Sequence, residues 1–160
     1  LAGRPADGLP LLEQALSDAE RLSAAWPKAL WSAWLAEAHL LSGRLDDATT
    51  TCRRALSLAV QRKERGQEAY ARRLLAEIAS REGRGGVSKA VGLYSEAMAL
   101  ASELGLRPLV AHCQFGLGKI YRSLGQREEA SQPLTVAAAM YHEMDMRLWR
   151  EQAVALAGTG

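Results

Sequence analysis

Three histidines, two cysteines and one glycine-rich lysine segment are the side chains from which this chain could build chemistry. Gly116-Leu117-Gly118-Lys119 carries part of a phosphate loop, in which backbone N–H groups and a lysine cradle phosphate oxygens. The complete pattern needs Ser or Thr after the lysine, and Ile120 stands there, so close helix packing is the better account of the glycines. His39, His112 and His142 fall in three separate segments with no Cys or carboxylate at ligand spacing, which argues against a zinc-type site. His112 and Cys113 are adjacent, but neighbours on a helix project in divergent directions. There is no G-x-S-x-G elbow, and no set of acid, base and nucleophile emerges. The chain is therefore read as a non-enzyme that needs no cofactor and no metal.

Two longer features remain. The stretch 61–73 holds five positive and two negative charges, the composition of a solvated helix–turn–helix corner. Trp26, Trp31 and Trp34 crowd one short segment, so a partly exposed aromatic patch is expected near Trp31 and Trp34.

The elements that must position these residues are helices. Ala, Leu, Glu, Gln and Arg dominate, β-branched residues are sparse, and aromatics are only 6%. The net charge of +2 is spread evenly, without the positive field that phosphate-backbone binding needs, so nucleic acid is disfavoured as a partner. Cys52 and Cys113 each sit in a helical pattern and read as buried thiols rather than a disulfide framework. No signal peptide or long apolar run is present, so a cytoplasmic chain without membrane contact is expected. The chain starts at Leu1, and we read it as an excerpt of a longer protein.

Four segments repeat. Gly3, Gly43, Gly83 and Gly125 are spaced 40, 40 and 42. Small residues follow at Gly8, Ala48, Ala90 and Ala130, then at Ala15, Ala55, Ala97 and Ala137, each spaced 40, 42 and 40. A preceding helix carries Leu35-Ala36, Leu75-Ala76 and Leu117-Gly118, then His39, Ala79 or Tyr121. Small side chains in these columns let two backbones approach, larger ones between them fill the gap, and Gly43 and Gly125 suit helix ends. Helices are expected near 8–23, 27–42, 45–63, 66–82, 87–104, 107–124, 126–143 and 145–157. Pro27 and Pro108 suit first turns, whereas Pro133 should kink its helix. The chain is one domain: a half repeat over 1–23, repeats near 27–63, 66–104 and 107–143, and a capping helix over 145–157. The half repeat would leave Leu9, Leu12 and Leu16 without a partner helix, an apolar stripe expected to self-associate.

The pattern of Leu-Gly/Ala on one helix, a turn Gly, and Ala–aromatic–Ala on the next resembles the tetratricopeptide repeat (TPR), most closely over residues 114–137. The family period is about 34 residues. Here it is close to 40, the repeat-ending proline is absent, and Ser32, Arg72 and Gln114 replace the bulky residue of the first helix. The resemblance implies an all-α, right-handed superhelix of stacked hairpins serving as a protein-binding scaffold. The runs at 98–130 and 140–153 further resemble the C-terminal repeat region of bacterial class III adenylate/guanylate cyclases, and similar arrays occur in large ATPase-containing transcriptional activators. They imply a sensor or regulatory region of a signalling protein; an RNA-binding helical repeat is the alternative.

Tyr70, Arg73 and Glu77 follow helical spacing and share one face, as do His112, Phe115, Lys119 and Arg122. In the family, first-helix positions line a concave groove, which carries over to Leu30, Ala33 and Glu37 together with those seven. The mix of aromatics, cations and carboxylates suits an acidic or C-terminal-carboxylate peptide, with Arg73 and Lys119 supplying charge and Tyr70 and Phe115 clamping apolar side chains. A neighbouring domain of the same chain is the other expected occupant.

Overall fold

The computed structural model describes residues 5–21 and 28–158; Gly3, Trp26 and Pro27 lie outside them. Within the described residues the chain forms eight α-helices and no strand. They are α1 (Pro5–Arg21), α2 (Lys28–Leu41), α3 (Leu45–Gln61), α4 (Arg65–Ser80), α5 (Val87–Glu103), α6 (Arg107–Ser123), α7 (Arg127–Glu143) and α8 (Arg147–Gly158). A short 3-10 turn, Gly83–Gly86, takes up the two-residue insertion between α4 and α5. Pro10 and Pro133 both lie inside helices, and α7 continues past Pro133 to Glu143.

Helices pair as the repeat requires: α2 with α3, α4 with α5, and α6 with α7, each also packing on the next in sequence. The first helices of successive hairpins, α2, α4, α6 and α8, touch one another in a row, whereas among the described residues α1, α3, α5 and α7 do not. A layer of helices in contact along one row and apart along the other bends toward the first row, which makes it the concave side. The core follows this order in overlapping layers. Leu40, Cys52, Leu74 and Ile78 close the first, Tyr94, Cys113 and Ile120 the second, and Leu134, Tyr141 and Ala153 the third. Each repeat therefore leans only on its neighbours.

The small-residue columns are where helices come closest. Ala36, Ala48, Ala76, Ala90 and Ala130 are fully buried. A Cβ on Gly116 would overlap the Tyr94 ring, and one on Gly118 would overlap Leu134. The Gly116–Lys119 segment is thus the middle of α6, packed against two neighbouring helices. Turns are equally regular. Five close with a six-residue N–H to C=O bond of 2.8 to 3.0 Å, for example Arg44 to His39 and Gln126 to Tyr121. Gly43 and Gly125 take the left-handed conformation expected of them, and Lys63 and Asp145 adopt it without being glycine.

One expectation needs correction. Leu9 and Leu16 are not an open stripe: α1 lies on α2 and buries both, leaving Leu11 as the exposed leucine of that helix. The rationale for self-association through Leu9, Leu12 and Leu16 goes with it. The last helix, read as a cap, touches α6 as well as α7.

Two Gly→Ala changes in helices should have opposite signs. Gly92, with open space around its missing Cβ, should gain roughly 0.5–1 kcal/mol from helix propensity. Gly116→Ala should lose about 1–3 kcal/mol through overpacking against Tyr94. Urea unfolding of the two variants checks both signs.

Candidate functional site

Seven of the ten groove residues read from the sequence, Glu37, Tyr70, Arg73, Glu77, His112, Phe115 and Lys119, line one cleft of about 320 Å³ on the concave face. They come from α2, α4 and α6, one helix per repeat, at the positions that a shared helical face requires. Arg122 lies outside it and lines a neighbouring cleft with Phe115, Lys119, Gln152 and Leu156. Leu30 lines a third, with Tyr70, Leu106, Leu109 and His112. Ala33 is buried in helix packing and does not face a ligand.

The cleft is threaded by two carboxylates, each bonded to the next repeat. Tyr70 donates from its hydroxyl to Glu37 Oε2 at 2.6 Å, and Arg73 Nη2 donates to Glu37 Oε1 at 3.2 Å. One repeat on, Lys119 Nζ donates to both Glu77 oxygens, at 2.8 and 2.9 Å. Tyr94 reaches in from α5 and donates to Glu77 Oε2 at 2.7 Å. Burial alone would raise the Glu77 carboxyl; the Lys119 charge and the bonds from Lys119 and Tyr94 outweigh it and hold it below the ordinary value. Arg81 lies 4.0 Å from Glu77 and donates to the Leu40 carbonyl, tying α4 to α2.

Arg73 stands at the centre. Its side chain is 12% exposed, and its guanidinium lies 5.1 Å from the Tyr70 ring centroid. Its Nε is buried and finds no hydrogen-bond partner among the described residues. Lys119 similarly sits 5.4 Å over the Phe115 ring. The expected free cations are therefore engaged. Lys119 is held by Glu77, and Arg73 shares Glu37 with Tyr70 but keeps an unused donor. The Tyr70 hydroxyl likewise faces Glu37, so its ring is fixed rather than free to close on a ligand.

Sequence reasoning passed over Tyr94, Tyr141 and Trp149. His112 Nδ1 is 2.8 Å from the Tyr141 hydroxyl, and the Trp149 ring packs edge-on to His112 and Phe115. Trp149 follows Leu109 by 40 residues, a column that the groove reading did not use, so the repeat interval did not point to it. Tyr94 and Tyr141 are buried in second helices, and their hydroxyls reach Glu77 and His112. Both thiols are buried, and burial pushes Cys52 and Cys113 up to about 12, far from the thiolate a nucleophile needs. Trp34 is 44% exposed on α2, as the tryptophan cluster suggested.

No family model and no curated protein matches this sequence. Solved structures do. The apo form of RapI superposes with a TM-score of 0.77 at 15% identity over 96% of this chain and 55% of its own. BtubC (BKLC) from P. vanneervenii gives 0.66 at 22% identity, over 98% of this chain and 72% of its own. A putative kinesin light chain with nearly identical TPR-like repeats, from Podosopora anserina, gives 0.66 at 18% identity, over 98% and 80%. The fold is that of a TPR-like helical repeat. The chain spans about half the length of RapI. No helix among the described residues is long and apolar enough to cross a membrane.

Burial, reinforced by the Arg73 charge, pushes His112 down to about 4. The unfolded chain takes up its imidazole proton near pH 6.5, whereas the folded chain resists until about pH 4. The stability contributed by neutral His112 is thus complete above about pH 6.5 and is lost as pH falls toward 4. Urea midpoints measured across this window should fall with pH for the parent chain, and the fall should be shallower in His112→Gln.

Proposed function

We propose that the chain is a protein-interaction scaffold whose concave face receives a polypeptide, either a separate partner or a neighbouring domain of a longer chain. The observation that carries this reading is the convergence of Glu37, Tyr70, Arg73, Glu77, His112 and Lys119, from three successive repeats, on one cleft. Convex packing alone does not call for aromatic and charged side chains at one inward column of every repeat. The internal bonds also fix their rotamers before any partner arrives, which lowers the ordering cost of binding. The TPR-like architecture supports the same reading by analogy of fold.

We further propose that this array is the sensor or regulatory region of a larger bacterial signalling protein of the nucleotide-cyclase kind. The support is the resemblance of the runs at 98–130 and 140–153. On this reading the catalytic chemistry belongs to other domains, and the repeat array supplies recognition.

Site-specific photo-crosslinking in the full parent chain tests the scaffold reading. A crosslinker at Leu41 or Trp149, both on the cleft rim and partly exposed, should capture a polypeptide. The same group at Ser57 or Ala99, exposed on α3 and α5, should not. Equal capture from both faces, or none from the cleft, would show that the concave side is only a solvated helix surface.

A further inference from the structure

Three of the four methionines, Met140, Met144 and Met146, crowd the turn that joins α7 to α8. The Met144 N–H donates to the Met140 carbonyl at 3.2 Å. The Met146 N–H donates to the Tyr141 carbonyl at 2.9 Å and closes the turn. The Met146 carbonyl then accepts the Arg150 N–H at 3.0 Å, in the first turn of α8. All three side chains are half-buried and pack against the core layer of Phe115, Tyr141 and Ala153.

The chain carries its own reference for this turn. At an interval of 40 residues, the turn between α5 and α6 has Leu100, Leu104 and Leu106 in the same three places. Its bonds match: Leu104 N–H to the Leu100 carbonyl at 3.2 Å, and Leu106 N–H to the Ala101 carbonyl at 2.8 Å. Leucine therefore meets the packing demands of such a turn. Methionine differs from it in being unbranched and in offering a thioether sulfur that oxidants attack. The fourth methionine, Met98, is half-buried as well, but it stands alone within α5. The thiols do not compete for an oxidant, because Cys52 and Cys113 are fully buried and burial pushes both up to about 12.

We infer that the α7–α8 turn is an oxidation-responsive joint, in which hydrogen peroxide converts Met140, Met144 and Met146 to sulfoxides and α8 leaves the third core layer. At each sulfur a lone pair attacks one peroxide oxygen. An S–O bond forms as the O–O bond breaks, and the departing hydroxide takes the transferred hydroxyl's proton and leaves as water. The thioether loses two electrons and the peroxide gains them. A half-buried apolar seam offers the new S=O acceptor no donor, so packing that suited the thioether now works against it. The helix α8 has little else to hold it. Ala153 is its one buried residue among those described, and Trp149 packs edge-on to His112 and Phe115. Release of α8 also takes Trp149 out of the wall of the concave cleft. A thiol-dependent sulfoxide reductase reverses the change, giving back the thioether with water and a disulfide.

The test is to treat the folded chain with hydrogen peroxide, measure sulfoxide at each methionine by peptide mass spectrometry, and follow amide hydrogen exchange helix by helix. Exchange over Arg147–Gly158 should quicken about tenfold or more as the three sulfoxides accumulate, while exchange in α4 stays as it was. Methionine sulfoxide reductases for both epimers, with dithiothreitol, should restore the slow rate. Met98→Leu should respond like the parent chain. The triple variant Met140→Leu, Met144→Leu, Met146→Leu should keep α8 protected before and after peroxide. Should that variant fail to fold, sulfoxide occupancy against α8 exchange in the parent chain and in Met98→Leu still decides. Unchanged α8 exchange at full oxidation of the three, equal acceleration in α4, or oxidation confined to Met98 would each overturn the inference.

Discussion

A carboxylate drawn out of water between two helices must find its donors on the helix next door, and that requirement holds this concave face together. Glu77 is only 17% exposed, and it is met by Lys119 from the following repeat and Tyr94 from its own. Glu37 repeats the arrangement 40 residues earlier with Tyr70 and Arg73. Losing one partner of a fully buried pair costs about 3–5 kcal/mol; here Lys119 and Glu37 keep 39% and 33% exposure, so the cost lies between that range and the value of a surface pair. The exposed bridges Arg65–Glu103 and Arg107–Glu143, which staple the open ends of two hairpins, belong to a class worth only about 0.2–1 kcal/mol each. The inner carboxylates therefore decide how first helices lie beside one another, and the outer bridges follow.

Packing brings the carboxylates within reach. The Tyr94 ring lies against the bare backbone of Gly116, and only that close approach allows its hydroxyl to extend to Glu77. Leu134 sits on Gly118 in the same way one helix further on. Regular turns keep the register, so that residues 40 or 42 apart occupy equivalent places. Glu37, Glu77 and Lys119 are one such column, and the change of sign at Lys119 lets the second carboxylate be answered by the third repeat.

Much of this was legible in the residues. The spacing of Gly and Ala gave the hairpins, and helical periodicity put Tyr70, Arg73 and Glu77 on one face, because both depend only on contacts near in sequence. What could not be read was which charges pair across repeats. Arg73 and Lys119 looked available for a ligand, yet each already answers a carboxylate from the preceding repeat, a contact fixed by the rotation between hairpins. The hydroxyls of Tyr94 and Tyr141 were hidden for a related reason, since core aromatics of second helices reveal their ring positions but not where the polar tip emerges. The leucines of α1 looked unpartnered because the pattern marked a half repeat, whereas α2 offers a second face that covers them.

A double-mutant cycle on Glu77 and Lys119 tests the central claim most directly. Unfolding free energies of Glu77→Gln, Lys119→Gln and the double variant give the coupling between a carboxylate of one repeat and a cation of the next. A carboxylate that organises the concave face requires a coupling above the range of about 0.2–1 kcal/mol found for exposed pairs. A coupling within or below that range would contradict it and would reduce the ladder to a decoration of helices already placed by their small-residue columns.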